Sequence, residues 1–172
     1  MTVTEYIDYF EQIAENLLDI SHNPTGPVRF AVVDIDEVLT GIKTVLKWVD
    51  KPALILVNFS GSLEHRPGAK IRDSKKAQFL IVQAAIRGED YQEIKEILDS
   101  TRETGFKVLS KIYNDREEYE LGNFCDSFIK EFYLSTVKYF KVGPKFDNCY
   151  GWLFELEIED ETELLFNPLD WK

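Results

Sequence analysis

Residues 152–158 read WLFELEI, and this stretch decides the fold class. Large apolar side chains stand at every second position, and Glu155 and Glu157 stand between the later ones. The side chains of a β-strand point alternately to the two faces of its sheet. The pattern therefore predicts a strand with one buried and one polar face, in a sheet that packs against other elements on one side.

Working outward from this strand, three further strands are predicted. Residues 128–142 can supply one long strand, joined to the 152–158 strand by turn residues between 143 and 148. Residues 53–59 are apolar and rich in branched side chains, and residues 78–86 repeat that character. Each pair consists of neighbours in sequence, so we expect two antiparallel pairs.

Helical patterns lie before and between these pairs. Thr2 and Glu5 form a capping box that opens an amphipathic helix over 2–19, with an apolar stripe at Ile7, Phe10, Ala14, Leu17 and Leu18. Helical spacing over 38–49 predicts another helix, which ends before Pro52. The apolar face of a long helix capped by Asp90 is predicted at Tyr91, Ile94, Ile97, Leu98, Thr101, Gly105, Val108, Leu109 and Ile112.

Two details of this region are predicted separately. Gly105 lies on the apolar face of the long helix, where it allows close packing. Residues 114–123 are charged and looplike. The whole pattern predicts an α+β fold with an antiparallel or mixed sheet of about four to five strands, packed against two or three helices.

Length and charge restrict the class of protein. The 172 residues predict a single domain over 1–172, large enough to need no disulfide or metal for stability. Cys125 and Cys149 could pair, although nothing in the sequence requires it. The net charge of −11 argues against a DNA-binding module, but it suits an acidic surface that lines a channel through which DNA passes. No apolar run is long enough to cross a membrane.

A catalytic motif is suggested by residues 30–41, which read FAVVDIDEVLTG. They resemble the first motif of haloacid-dehalogenase-type phosphatases, in which Asp34 would be the nucleophile and Asp36 the general acid and base beside a magnesium ion. Ser60 could stand for the second motif. The later lysine and the paired acids that the resemblance requires are missing.

A structural role explains the same acids. Asp34 caps the helix that follows, and Glu37 is its capping-box partner. The histidines, His22 and His65, lie in polar loops without ligands at zinc spacing. We therefore predict a protein that is not an enzyme, with no catalytic, cofactor-binding or metal-binding residues. The acidic run over 155–163 permits a cation site, but a solvated or subunit-facing surface is favoured.

The C-terminal sequence carries the more informative resemblance. Residues 148–156 read NCYGWLFEL and residues 166–171 read FNPLDW. A Tyr-Gly strand followed by a closing Asn-Pro and Trp resembles small proteins from structural-gene clusters of phages and prophages of Bacteroides-type bacteria. Their first third is similar to residues 36–41, DEVLTG, followed by the Pro-led strand 52–56, PALIL.

The order of elements is similar to that of tail-terminator and tail-completion proteins. This resemblance implies a structural virion protein of a phage tail or neck, which forms a homo-oligomeric ring, often sixfold. Such a ring ends the tail tube and joins it to the head-side connector proteins, so its location is the virion, after assembly in the cytoplasm of the bacterial host. DNA passes through the ring without being bound specifically. A cap protein of a contractile injection system and a non-enzymatic assembly adaptor are the alternatives.

Two groups of residues are candidates for contacts in such an assembly. The connection over about 60–76 is polar, has no regular period and is expected to project as a basic arm that carries Arg66, Lys70, Arg72, Lys75 and Lys76. The closing segment offers large apolar side chains at Phe166, Leu169 and Trp171, which we expect to pack onto the domain or onto a neighbouring subunit.

Overall fold

The computed structural model of the chain describes residues 2–34, 51–64, 71–87, 90–123, 127–145 and 148–162. The predicted helix over 38–49 and the candidate residues Asp36, Glu37, His65, Arg66, Lys70, Cys125, Phe166, Leu169 and Trp171 lie outside these ranges. The described ranges form an α+β fold, as predicted, with a mixed sheet and helices against it.

Within the described ranges the sheet contains five strands, in the order β1-β2-β3-β5-β4. The strands are β1 Phe30–Val33, β2 Ala53–Glu64, β3 Ile71–Ala84, β4 Phe132–Lys145 and β5 Cys149–Thr162. The predicted pairs β2–β3 and β4–β5 are antiparallel, and β3 joins them by pairing antiparallel with β5. The apolar run at Phe30 adds the edge strand β1, parallel to β2, so the sheet is mixed.

The helix α1 runs over Val3–Asn16, and its capping box between Thr2 and Glu5 is present. The side chains that it buries are Tyr6, Tyr9, Phe10, Ile13 and Ala14. The predicted stripe was wrong at Leu18, which is 81% exposed, because the helix ends at Asn16 and the chain turns before Leu18 reaches the core.

The helix α2 runs over Tyr91–Glu120 with Asp90 as its N-cap, whose side chain accepts hydrogen bonds from the backbone of Gln92 and Glu93. The prediction that residues 114–123 form a loop was wrong over 114–120, which are helical, whereas 121–123 lie beyond the end of the helix. Asp115 is buried there and accepts a hydrogen bond from the Tyr9 hydroxyl, and Arg116 donates to the Phe132 carbonyl. These tertiary contacts stabilise the helix over a segment whose charged residues had predicted a loop. A 3₁₀ helix, Ser127–Glu131, leads into β4.

The main core lies between the two helices and one face of the sheet. It is built from α1, from Val108 and Ile112 of α2, and from the strand residues Leu54, Leu56, Ala77, Phe79, Ile81, Phe154, Leu156 and Ile158. The alternation predicted for β5 is confirmed, because Phe154, Leu156 and Ile158 are all completely buried. The opposite face of the sheet carries a second apolar cluster at Val33, Ile55, Val57, Leu80 and Val82.

The glycine of the Tyr-Gly pair at the start of β5, Gly151, is required by a close backbone contact. A Cβ atom at position 151 would lie 1.9 Å from the carbonyl oxygen of Ile81 on β3. Because that oxygen belongs to the backbone of a central strand, it cannot move aside for a side chain. The contact between β3 and β5 therefore requires glycine at this position.

Where the structure describes residues 60–76, they are not the irregular connection that the sequence predicts. Residues 60–64 continue β2, residues 71–76 continue β3, and the two segments pair from Ser60 opposite Lys76 to Glu64 opposite Arg72. A bulge between Val57 and Ser60 shifts the register. The polar side chains of these two segments do not alternate with apolar ones, so the sequence pattern did not predict strands there. The term "hairpin ribbon" denotes residues 60–64 and 71–76.

Candidate interaction surfaces

The hairpin ribbon holds the described part of the predicted basic arm. Arg72 lies on the sheet face opposite the helices, with its Nη1 3.3 Å from a carboxylate oxygen of Glu159 on β5. Lys76 is exposed and occupies a position two residues from Gln78 on the same face, opposite Glu157 of β5. The charges of the ribbon are thus set against acidic residues of the same chain.

Lys75 is turned the other way. Its side chain is only 10% exposed, its Nζ lies 2.6 Å from Asp73 Oδ2, and it lies over the ring of Phe59 at 6.0 Å. Lys75 was a candidate for contact with another subunit, but the structure places it in the interior of its own ribbon. Of the described arm residues, Lys76 and Arg72 are those that a partner could reach.

Three members of the acidic run, Glu155, Glu157 and Glu159, lie on the face of β5 opposite the helices. Glu155 accepts a hydrogen bond of 2.9 Å from Gln78 Nε2, and Glu159 lies against Arg72. Among the side chains that the structure describes, these glutamates do not join any group of potential metal ligands. Glu155 and Glu159 are partly buried and paired with Gln78 and Arg72, and a solvated or subunit-facing surface stays the favoured interpretation of the run.

A group of potential metal ligands does occur at α1, where carboxylate oxygens of Glu11 and Glu15 lie near His22. The buried His22 ring uses its Nδ1 to accept a hydrogen bond of 3.0 Å from the Arg29 backbone N–H. A neutral imidazole then carries its proton on Nε2, the atom that faces Glu11 at 3.6 Å. A protonated Nε2 cannot bind a metal, so the ring instead links the 20–29 segment to α1.

The candidate nucleophile Asp34 follows β1 directly and accepts a hydrogen bond from the Asn58 side-chain amide on β2. The parallel pairing of Val33 with Val57 brings these two residues side by side. Ser60, the second candidate of the phosphatase motif, lies farther along β2 inside the hairpin ribbon, opposite Lys76. Within the described ranges Asp34 belongs to no group of three potential metal ligands, and Asp36 lies outside them.

The most distinctive surface lies where α2 meets the edge strand β4. We call it the α2/β4 surface, and it consists of Arg102, Phe106, Leu109, Tyr113, Val137 and Tyr139. Its aromatic side chains are exposed: Phe106 by 37%, Tyr113 by 56% and Tyr139 by 40%. Phe106, Leu109, Tyr113 and Val137 line a shallow hollow of about 310 Å³.

Arg102 organises the centre of this surface. Its guanidinium lies 4.9 Å from the centroid of the Phe106 ring and 5.4 Å from that of Tyr139, and its Nη2 donates to the Tyr139 hydroxyl at 3.2 Å. The two aromatic rings meet edge to face at 5.6 Å. The rings and the guanidinium therefore hold one another in place before any partner binds.

The backbone beside this surface is a sheet edge. Among the described strands, β4 pairs with β5 alone. Lys138 and Lys141 are exposed on β4 at this edge. Lys138 lies opposite Glu155 of β5, and Lys141 lies opposite Trp152 on the face that carries Tyr139. The edge is thus basic in a chain whose net charge is −11.

Sequence reasoning missed the α2/β4 surface, although a signal was present. Arg102, Phe106, Leu109 and Tyr113 recur at helical spacing, one position away from the buried stripe of α2. Tyr91, which was predicted on the apolar face, is 81% exposed instead. Residues flanking a core stripe cannot be assigned to core or to surface until the neighbouring strand is placed.

The helix α1 presents the opposite charge. It contains Glu5, Asp8, Glu11 and Glu15 and no Lys or Arg. Glu5 belongs to the capping box, where a hydrogen bond from the Thr2 backbone lowers the pKa of the Glu5 carboxyl. Asp8, Glu11 and Glu15 recur at helical spacing on the outer side of the helix, and we call them the α1 acidic stripe.

A groove of about 310 Å³ separates α1 from α2 and is lined by Tyr9, Gln12, Ile13, Asn16, Leu17, Lys107, Lys111 and Asp115. Its charged groups contact one another. Lys107 Nζ lies 2.7 Å from Asp19, and this hydrogen bond raises the pKa of Lys107. Lys111 is paired with Asp115. The groove therefore has the character of a packing junction between helices.

Comparison with known proteins gave no relative to set beside this geometry. No family model matches the sequence, and no significant match was found among curated proteins or solved structures. No helix in the described ranges is both long and apolar enough to span a membrane.

Proposed function

We propose that the chain is a structural virion protein of the tail-terminator or tail-completion type, which works by assembling into a homo-oligomeric ring. The observation that carries the proposal is the α2/β4 surface: exposed aromatic side chains organised around Arg102 at an open edge of the sheet. In this role the ring ends a phage tail tube and joins it to the head-side connector proteins.

The chemistry of the surface favours a protein partner. Residues that contribute most to protein interfaces are enriched in Tyr, Trp and Arg, and they cluster where the contact excludes water. Phe106, Tyr139 and Arg102 offer this combination already ordered, so little side-chain entropy is lost on binding. A neighbouring sheet edge adds backbone groups that can accept or donate further hydrogen bonds.

The sequence supports the particular role in a tail or neck. The C-terminal stretch with Tyr150 and Gly151 resembles phage structural proteins, and the order of elements predicted from the sequence is similar to that of tail-terminator proteins. An acidic chain also suits a ring through which DNA must pass without binding. The hairpin ribbon, through Arg72 and Lys76, is the second surface available to neighbouring tail proteins.

The alternative functions use the same surface differently. A cap protein of a contractile injection system would also form a ring, whereas an assembly adaptor would bind a partner without entering the finished particle. A phosphatase is the least favoured function, because Asp34 pairs with Asn58 and no later apolar run ends in the Asp-Asp or Gly-Asp pair that the motif requires.

The test is the location of the protein in purified particles. We would express a tagged chain in the bacterial host that makes the particles and locate the tag by electron microscopy with gold labelling. The proposal predicts label at the junction of tail and head, and tails of irregular length without connected heads when the gene is deleted. Particles that lack the chain and have normal tails would contradict it, as would label along the whole tube.

Two double variants test whether the particle needs the α2/β4 surface. The first, Arg102→Ala with Tyr139→Ala, removes the centre of the α2/β4 surface. The second, Tyr91→Ala with Lys95→Ala, changes exposed residues in the first turns of α2, outside that surface. The first pair should fail to restore connected particles in the deletion strain, while the second should restore them.

A further inference from the structure

We infer that the subunits of this ring meet head to tail, with the basic β4 edge and α2/β4 surface of one copy bound to the α1 acidic stripe of the next copy. The inference rests on the proposed function and names the two surfaces that form the contact. The partner is therefore a second copy of this chain, and the interface is heterologous.

Charge complementarity is the first argument. The stripe at Asp8, Glu11 and Glu15 belongs to a helix without a basic residue. On the β4 edge, Lys141 lies on the face that carries Tyr139 and Arg102, and Lys138 lies on the other face, opposite Glu155. In a chain with 31 acidic and 20 basic residues, a basic edge next to exposed aromatic rings is the surface that another copy's acidic helix fits.

Placement in the fold is the second argument. The helix α1 packs mainly against β1 and β2 and contacts β4 near its start, at Phe132, whereas Tyr139 and Lys141 lie farther along β4 at the opposite edge of the sheet. The two surfaces therefore lie towards opposite sides of the subunit. A head-to-tail contact needs this arrangement, since each copy must use one surface for the preceding neighbour and the other for the following neighbour.

A symmetric contact is disfavoured by the same charges. Two copies that met through their β4 edges would bring Lys138 and Lys141 of one copy towards those of the other. Like charges across an interface oppose association, and lysines on edge strands are a recognised means of preventing such pairing. The lysines therefore exclude edge-to-edge pairing and favour an acidic neighbour.

The aromatic and the charged side chains contribute to this contact in different ways. Phe106, Tyr113 and Tyr139 supply apolar area and most of the affinity. The exposed lysines and acids set the register and the association rate, and salt should weaken their contribution because the screening length is about 8–10 Å at moderate ionic strength.

The experiment uses two charge-reversed full-length chains. The edge variant carries Lys138→Glu and Lys141→Glu, and the stripe variant carries Asp8→Lys and Glu15→Lys. Glu11 is left in place because it contacts His22. Sedimentation velocity at low salt measures assembly of the parent, of each variant alone and of their equimolar mixture, after thermal melts have shown that each variant is folded.

The inference predicts that each variant alone associates at least about tenfold more weakly than the parent. The mixture should recover assembly, because the reversed edge of one variant then faces the reversed stripe of the other, and the unchanged surfaces face one another as well. Strong assembly of the parent together with recovery on mixing requires attraction between the edge and the stripe, because two edges that met each other would repel in the parent.

Control variants with the same charge changes lie elsewhere. Arg87→Glu with Lys95→Glu matches the edge variant, and Asp99→Lys with Glu117→Lys matches the stripe variant, all at exposed positions. Both controls should assemble as the parent does. If a charge-reversed variant fails to fold, the neutral set Lys138→Gln, Lys141→Gln, Asp8→Asn and Glu15→Gln replaces it and should weaken assembly less.

Two results would overturn the inference while leaving the proposed function standing. In the first, both variants assemble as well as the parent does, which would mean that Lys138 and Lys141 only prevent edge-to-edge pairing of β4. Alternatively, both variants could lose assembly without recovery on mixing, which would place the contact elsewhere. A parent that stays monomeric at every concentration would instead contradict the proposed function, and the inference would fail with it.

Discussion

Gly105 of α2 packs directly against the ring of Phe154 on β5: a Cβ atom at position 105 would lie 2.1 Å from Phe154 Cζ. The Phe154 ring is completely buried and stacks on Phe79 at 4.9 Å, so it cannot move aside. This contact sets how closely the long helix approaches the sheet. It also confirms the close packing that the position of Gly105 on the apolar face predicts.

Gly105→Ala should therefore destabilise the protein even though Ala is the better helix former. Overpacking of a core costs about 1–3 kcal/mol, and the gain in helix propensity returns about 1 kcal/mol. Because an approach of 2.1 Å is far inside van der Waals contact, the overpacking cost should lie in the upper part of this range, at about 2–3 kcal/mol, which leaves a net loss of about 1–2 kcal/mol in chemical denaturation. The exposed Ser100→Ala in the same helix should change stability by less than about 0.5 kcal/mol. A Gly105→Ala variant as stable as the parent would show that the helix does not sit this close.

A second prediction concerns the buried carboxylate that sequence analysis placed in a loop. Asp115 is 2% exposed and accepts a hydrogen bond of 2.8 Å from the Tyr9 hydroxyl. Tyr9→Phe removes this donor from a buried charged acceptor and should cost about 1–3 kcal/mol. Tyr113→Phe, at a 56% exposed position of the same helix, is the matched control and should be nearly neutral. Equal melting curves for the two variants would refute the buried contact.

A third prediction concerns alkaline pH. Burial raises the pKa of the Tyr6 hydroxyl, which donates to the Val57 carbonyl at 3.2 Å. The neutral form is thus favoured in the folded state. The resulting stability is fully present below the ordinary tyrosine pKa of about 10 and is lost as pH rises above it.

The melting temperature of the parent should therefore fall more steeply above pH 10 than that of Tyr6→Phe. Tyr113→Phe, which removes an exposed hydroxyl, should keep the steep dependence of the parent. The measurement is a series of thermal melts between pH 8 and 11 for the three proteins. Parallel curves for the parent and Tyr6→Phe would show that the Tyr6 hydroxyl is not buried in the folded state.

A fourth prediction is the absence of phosphatase activity. Asp34 accepts a hydrogen bond from the Asn58 amide and, within the described ranges, belongs to no group of three potential metal ligands. No later apolar run ends in the Asp-Asp or Gly-Asp pair that the motif requires. The parent and Asp34→Asn should both leave a generic phosphate ester unhydrolysed in the presence of magnesium. Turnover by the parent that disappears in Asp34→Asn would overturn this prediction and reinstate the motif over residues 30–41.

Most of the fold could be predicted because its main signals are local. The alternation through Phe154 and Leu156 and the caps at Thr2 and Asp90 each depend on a few adjacent residues, and the structure confirms them. Residues 114–120 and the hairpin ribbon could not be predicted in the same way. Their conformation depends on distant partners, such as Tyr9 for Asp115 and β5 for β3.

The candidate surface was harder to predict than the fold. The basic arm was found from composition, yet the structure turns Lys75 inward towards Asp73 and sets Arg72 against Glu159. The α2/β4 surface joins residues that are far apart in sequence: Arg102 and Tyr139 are 37 positions apart and meet only after α2 and β4 have packed. A sequence shows which residues flank a core stripe, but the neighbouring strand decides which of them form one surface.

The most direct test of the account is the mass of the assembled protein in solution. Native mass spectrometry or sedimentation at low salt should show the parent as a single closed homo-oligomer of more than two copies. Arg102→Ala with Tyr139→Ala should shift it to monomer while the thermal melt still shows a folded chain. A parent that remains monomeric at all concentrations, or that stays assembled without the Arg102 and Tyr139 side chains, would contradict the claim that this surface builds a ring.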